Sequence, residues 1–203
     1  SAIAFVALGQ LVVLLIAGID LSVGAIVGIT AVLLSFFAGK DQGAGMLALG
    51  FLVVVAAAVI IGLANALLIR KVGLNPVIAT LATFIVLQGV ALLLRPKPEG
   101  FIDRGFTDLL KTSVGPIPLA FVVAVLVALA LEWALRRTRG GLAIRAVGSD
   151  EGRAHRMGVR VGRTKVLGFV LCSLLVAAGG VMLASQVGIG DATLGRSYTL
   201  TSI

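Results

Sequence analysis

The spacing of the charged residues constrains this chain more than any other feature. It leaves six uncharged, mostly apolar stretches, which cover residues 1–19, 21–39, 42–69, 72–94, 112–131 and 166–190. Each stretch is 19 to 28 residues long, and a helix that crosses a bilayer needs roughly 17 to 25. Lipid offers the backbone no hydrogen-bond partner, and the stretches lack the period-2 alternation of barrel strands. We therefore predict an all-α, polytopic transmembrane helical bundle with about six spans.

The composition supports this fold class. Charged residues make up only 13% of the 203 residues, and the mean hydropathy is +1.14. These values exclude a disordered chain and argue against a water-soluble fold. Cys172 is the only cysteine in the sequence, so no disulfide framework is expected. We expect residues 1–203 to form a single transmembrane domain that is a piece of a longer protein, because they begin without Met and end soon after the last stretch.

The net charge of +8 is concentrated in one place. Residues 136–165 contain nine of the 17 basic residues and only two acids, which places +7 of the charge there. Short loops rich in Lys and Arg stay in the cytoplasm, so we predict a cytoplasmic loop at 137–165. Residues 95–111, with four basic and three acidic residues, then lie outside. Residues 136–165 contain no Phe, Trp or Tyr for base stacking, which argues against a nucleic-acid partner.

Asp20 is an ionisable residue with 19 uncharged residues on each side. A charge at membrane depth is costly and indicates a functional position. Asp20 could lie in a solvated turn between two spans, with Ser22 capping the next helix. It could instead lie at a break in one discontinuous helix, as in many transporters. The sequence favours the turn and leaves the second possibility open.

Other polar and small residues lie within the spans. Asn65 lies near the inner end of its stretch, and Asn75 precedes Pro76 at the start of the next. Both could line a polar path, but an interhelical hydrogen bond or a turn explains them equally well. Gly24 and Gly28, like Gly62 and Ala66, form small-residue pairs, for which close helix packing is the favoured interpretation.

The basic loop contains the pattern of a short helix. Ser149 or Asp150 can cap its start, Glu151 lies in its first turn, and Gly158 can end it. Arg153 and Arg156 share one face, and Ala154 and Met157 form a small apolar face. We expect a surface for a cytoplasmic partner. Contact with anionic lipid headgroups is the alternative.

The sequence contains no signature of an enzyme. It has no GxxxxGK[ST] loop for ATP phosphates. His155 is its only histidine, so neither a His/Cys metal cluster nor a Ser/His/Asp triad is expected. We predict no catalytic activity, no cofactor and no metal.

Four stretches resemble the permease subunits of ABC importers of the ribose, xylose and autoinducer-2 group, within the superfamily shared with branched-chain amino acid permeases. They are GIDLSVG at 18–24, GLANALLI at 62–69, NPVIATLAT at 75–83, which includes Thr80, and GLAIRAVGSDEGRAHRMGV at 141–159. Departures from the family's usual residues occur at Val77, Ala82, Gln88 and Asp150. The resemblance extends to the last residues, 198–203, and implies that an N-terminal span and the C-terminal spans are missing.

The resemblance implies a multi-pass protein of the bacterial cytoplasmic membrane that imports a monosaccharide or similar polyhydroxylated solute. It implies three protein partners besides membrane lipid: a cytoplasmic ABC ATPase that docks on the helix around 149–158 and hydrolyses ATP, a periplasmic or lipid-anchored sugar-binding protein, and a second permease subunit. The alternatives are a branched-chain amino acid or nucleoside permease, an ion-coupled secondary transporter that uses Asp20, and a membrane scaffold.

Overall fold

A computed structural model describes residues 2–40, 42–114, 117–195 and 198. Its helices are α1 (Ala2–Leu14), α2 (Val23–Phe37), α3 (Ala44–Arg70), α4 (Pro76–Leu94), α5 (Arg104–Lys111), α6 (Leu119–Arg137), α7 (Arg139–Ser149), α8 (Glu151–Arg156) and α9 (Val161–Val187). Its short strands are β1 (Glu99–Phe101), β2 (Ser113–Val114), β3 (Ile117–Pro118) and β4 (Ile189–Gly190). The prediction of an all-α membrane bundle is confirmed.

The helices at the six predicted spans differ in length. Four of them, α3, α4, α6 and α9, are apolar and long enough to cross a bilayer. The other two are short: α1 has 13 residues and α2 has 15. At 1.5 Å per residue they extend about 20 Å and 22 Å, which is less than the roughly 30 Å of hydrocarbon. The described residues thus contain four full-length candidate spans and two shorter apolar helices.

Helix α9 is the centre of the bundle. Most of its residues from Gly168 to Ser185 are buried, and α1, α2 and α3 pack against it. Glycines bring the backbones close together. A Cβ added to Gly62 of α3 would lie 2.6 Å from the Cα of Val170, and one added to Gly180 would lie 2.9 Å from the Cβ of Thr30 in α2. The small residues therefore serve helix packing, as the sequence indicates.

The two short helices form a hairpin against α9. Along α1 the contacts run down α9, from Ala2 beside Gly179 to Ile16 beside Gly168. The contacts of α2 run in the opposite direction, from Val27 beside Gly180 of α9 to Ser35 beside Gly190 of β4. Residues 15–22 therefore turn the chain around in the interior of the bundle. This geometry is a turn between two helices and not a break in a single continuous helix.

The two ends of the bundle have different structures. We call the end where α3 and α6 finish and α9 begins the basic end, and the other the opposite end. At the opposite end β1 pairs with β4, and α5 follows β1 within the predicted loop 95–111. Arg95, the residue after α4, connects the end of that helix to α2. Its Nε donates to Ser35 Oγ at 2.7 Å, and its guanidinium lies 4.3 Å from the Phe36 ring centroid.

The predicted loop 137–165 at the basic end contains two helices, α7 and α8, and the beginning of α9. Only α8 is predicted from its sequence. Thr138 caps the start of α7, because its hydroxyl oxygen accepts a hydrogen bond from the Gly141 N–H at 3.1 Å. It is held against the bundle by the buried side chains of Ile144 and Val147. The loop is therefore an ordered part of the fold.

Candidate functional site

The turn between α1 and α2 forms the centre of the site. Helix α1 ends in backbone bonds that include Gly18 N–H to the Val13 carbonyl at 3.0 Å, and Ala17 adopts a positive φ of 55°. A left-handed residue at this point is a common way to end a helix, although glycine usually fills it. The reversal brings Asp20 and Ser22 into the interior, where both side chains are fully buried.

The Asp20 carboxylate is held by neutral donors. Its Oδ1 accepts from the Ser22 backbone N–H at 2.8 Å and from the Ser22 hydroxyl at 2.5 Å. Its Oδ2 lies 3.5 Å from Asn65 Nδ2 and 3.8 Å from Cys172 Sγ. Among the described residues no lysine or arginine forms an ion pair with it. The described partners of this carboxyl group are therefore neutral hydrogen-bond donors, and a buried carboxyl group needs such bonds.

These contacts join separate elements of the bundle. Asn65 belongs to α3 and also donates to Ser22 Oγ at 3.0 Å, while Cys172 belongs to α9. From α4, Thr80 Oγ1 accepts a hydrogen bond from the Leu21 N–H at 3.0 Å. We call Asp20, Ser22, Asn65, Thr80 and Cys172 the carboxylate cluster. It fixes the turn to three long helices at once.

The interior contains further polar atoms without partners. Both side-chain polar atoms of Gln10, the Asn65 Oδ1 and the Ser173 Oγ are buried and make no hydrogen bond to any described residue. Leaving such an atom unsatisfied costs about 1–3 kcal/mol. Gln10 and Ser173 were not singled out in the sequence, although a glutamine within an uncharged apolar stretch is a visible signal. The polarity of the interior extends beyond Asp20.

Two expectations about this region need correction, and at Asn75 the structure has the turn alternative. Asp20 lies in a turn, but the turn is buried and not solvated, because α3, α4 and α9 enclose it. Ser22 occupies the position before α2 without a side-chain cap bond; its Oγ accepts from Asn65 Nδ2, and its hydroxyl donates to Asp20. Asn75 is exposed and does not join the cluster; its Oδ1 caps α4 by accepting from the Val77 N–H at 2.9 Å.

Helix α8 has an N-terminal cap made by Asp150, while Ser149 is the last residue of α7. Asp150 Oδ1 accepts from the Arg153 N–H at 2.8 Å, and Oδ2 accepts from Arg153 Nε at 2.7 Å. These bonds, the backbone one foremost, lower the pKa of the Asp150 carboxyl. The cap is consequently present at neutral pH and is lost as the pH falls through that lowered pKa.

The faces of α8 differ from the predicted pattern. Ala154 is buried and Met157 is 79% exposed, so the two do not form one apolar face. Arg153 and Arg156 are both exposed. Glu151 is paired with Lys165 of α9 at 2.8 Å, and Gly158, with a φ of 83°, follows the end of the helix. The exposed surface of α8 thus presents two arginines and a methionine.

Helix α7 connects the basic loop to the Asp20 turn. A Cβ added to Gly148, at the end of α7, would lie 2.8 Å from the Leu15 carbonyl carbon and would overlap its oxygen. Glycine at this position lets α7 lie directly on the backbone that leads into the turn. The exposed helix α8 is therefore only a few residues of chain away from a contact with the interior site.

Among the described residues no group of three His, Cys, Asp or Glu side chains could hold a metal ion. His155 is exposed on α8, as expected.

Comparisons with known proteins agree on one class. The family described as the permease component of branched-chain amino acid transport systems matches residues 1–203. The galactose/methyl galactoside import permease of Escherichia coli strain K12 is 30% identical over 98% of this chain and 64% of its own length. The ribose import permease of Bacillus subtilis strain 168 is 34% identical over 98% and 62%. The autoinducer 2 import permease of Enterobacter sp. strain 638 is 31% identical over 97% and 57%.

The chain therefore spans about three fifths of the length of these curated relatives. No solved structure matches it.

We predict that Ser22→Ala lowers the free energy of unfolding by about 1–3 kcal/mol, because it removes a donor to the Asp20 carboxylate and the acceptor of the Asn65 amide. Ser185→Ala is the matched control, since Ser185 is equally buried but donates only to the Met182 carbonyl of its own helix. Thermal unfolding of the detergent-solubilised protein measures both. Equal melting temperatures for the two variants would show that the cluster does not stabilise the turn.

Proposed function

Because the chain belongs to the family of permease components of branched-chain amino acid transport systems, we propose that it is the membrane-spanning permease subunit of an ATP-driven ABC importer for a monosaccharide or similar small polyhydroxylated solute. The observation that carries the proposal is the similarity of nearly the whole chain to import permeases for galactose, ribose and autoinducer 2. The protein is a multi-pass protein of the bacterial inner membrane. ATP hydrolysis belongs to a separate subunit.

We place the basic end in the cytoplasm, in accordance with the positive charge of its loop. The ATPase then docks on the exposed surface of α8, where Arg153 is 68% and Met157 79% exposed. Charged and flexible apolar side chains together are typical of a docking patch. A periplasmic or lipid-anchored sugar-binding protein delivers the solute to the opposite end, and a second permease subunit completes the pathway.

The contact between Gly148 and Leu15 suggests how ATP binding reaches the membrane interior. A displacement of α8 moves α7, and α7 presses on the turn that carries Asp20. The carboxylate cluster ties that turn to α3, α4 and α9 by side-chain hydrogen bonds, which a small shift can exchange. Alternating access requires such an element with two arrangements, biased by ligands on either side.

A second candidate solute class is a branched-chain amino acid, which the description of the matched family names; a nucleoside is a further alternative. An ion-coupled secondary transporter that uses Asp20 is a weaker candidate. Both are distinguished from the main proposal by the same experiment.

We predict that the full-length protein, reconstituted in vesicles with its ATPase and binding protein, accumulates labelled pentoses or hexoses only when ATP is present. Vanadate should abolish uptake, because it blocks ATPase turnover, and a protonophore should leave it unchanged. Uptake that survives vanadate and collapses with the protonophore would contradict the ABC mechanism. Uptake of labelled leucine or adenosine in place of the sugars would identify the second candidate.

We predict that Arg153→Glu combined with Arg156→Glu lowers the amount of ATPase that co-purifies with the permease by about tenfold. Exposed arginines that a partner covers often contribute most of the binding energy of an interface. Arg137→Glu combined with Arg139→Glu is the matched control, because these exposed arginines of the same end lie outside α8. Arg153→Gln with Arg156→Gln separates repulsion by the introduced carboxylates from loss of the Asp150–Arg153 ion pair. Co-purification that stays at the wild-type level would show that α8 is not the docking site.

A further inference from the structure

A second charged feature of the basic end is a cavity of about 500 Å³ that α8, α9 and the end of α3 enclose. Its polar lining consists of one carboxylate, one imidazole and four cationic side chains: Glu151, His155, Arg70, Arg160, Arg163 and Lys165. Even with His155 neutral, the lining carries a clear excess of positive charge. Nothing in the proposed transport mechanism uses it.

The positive charge of the cavity comes from three arginines. Lys165 is neutralised by Glu151, with Nζ and Oε2 2.8 Å apart. Arg70, Arg160 and Arg163 are exposed, and none of them forms an ion pair with a carboxylate of the described residues. Three arginines thus line the cavity without an ion pair to a described carboxylate, and the planar donor fork of arginine matches the oxygens of a phosphate.

The backbone of α9 contributes to the same site. The helix begins at Val161, and Arg160 before it provides no side-chain cap, so the positive end of the helix dipole faces the cavity. Gly162 lies in this first turn, and its missing side chain leaves the space that the Arg70 guanidinium occupies. The end of α3 is thereby held against the beginning of α9.

The position of the cavity indicates what fills it. It lies where two membrane-spanning candidates, α3 and α9, meet at the basic end, which is the depth of lipid headgroups. Ile69 and Val161 give it an apolar side next to the cationic lining. Basic pockets between transmembrane helices are suited to anionic lipid headgroups. We propose that this cavity binds the phosphodiester headgroup of an anionic phospholipid.

The two faces of α8 then have separate partners. Glu151 and His155 line the lipid cavity, whereas Arg153 and Met157, about half a helical turn away, remain exposed to a protein partner. The bound lipid steadies α8 against α9 while the other face stays accessible. The inference goes beyond the transport proposal and holds for any solute.

The test uses the full-length permease, delipidated in a non-ionic detergent and titrated with phosphatidylglycerol or with phosphatidylcholine of the same chain length. Native mass spectrometry counts the bound lipids. We expect phosphatidylglycerol to bind more tightly, and Arg160→Gln combined with Arg163→Gln to weaken it by about tenfold or more, since each basic residue contributes about 1 kcal/mol near anionic lipid.

Arg137→Gln combined with Arg139→Gln removes the same charge from the same end but outside the cavity, and should leave phosphatidylglycerol binding within about twofold of the wild type. Equal losses in the two double variants would reduce the effect to general surface attraction and overturn the proposal. Equal affinity for phosphatidylglycerol and phosphatidylcholine would also overturn the proposal. Binding of inorganic phosphate without binding of phosphatidylglycerol would assign the cavity to a soluble anion and show that the lipid proposal is wrong. Because the readout is lipid binding, a failure of sugar uptake does not affect it.

Discussion

The fold depends on satisfying one buried carboxylate. Asp20 is fully buried in a bundle whose neighbouring helices are apolar, and no described cation neutralises it. An isolated charge in such a place would be prohibitive. The turn solves this by placing Ser22 and its backbone N–H on one carboxylate oxygen and Asn65 and Cys172 near the other. The short helices α1 and α2 lie on either side of this turn, and both pack on α9.

The same requirement links the basic loop to the membrane interior. At the basic end α7 contacts the turn, because its Gly148 lies on the Leu15 carbonyl group. Helix α8, which Asp150 caps, follows directly. A signal that begins at an exposed surface therefore has a short and continuous physical route to the buried cluster. The lipid cavity steadies the far side of α8 along this route.

Much of the fold could be predicted from the sequence, because uncharged runs and positive loops are local patterns that the bilayer itself selects. The helices α3, α4, α6 and α9 were predicted in this way, and Asp150, which caps α8, was one of the two residues expected to do so. The burial of Asp20 and its partnership with Asn65 could not be predicted. These residues are 45 positions apart and meet because the α1–α2 hairpin and α3 pack on the same helix, α9. Helix α7 was missed since its apolar positions, Ile144 and Val147, are too few to distinguish it from a loop.

In the proposed mechanism α7 transmits the state of the ATPase to the Asp20 turn. The most direct measurement is the number of sugar molecules imported per ATP hydrolysed by the reconstituted full-length complex carrying Gly148→Ala. Coupling between two sites typically changes the affinity at one of them by roughly 5- to 150-fold. We predict that the number of sugar molecules imported per ATP falls by about tenfold, within that range, while ATP hydrolysis persists. Gly140→Ala, on the same helix but facing only the end of the Leu167 side chain at 3.3 Å, should keep the wild-type ratio. An unchanged ratio in Gly148→Ala would contradict the claim.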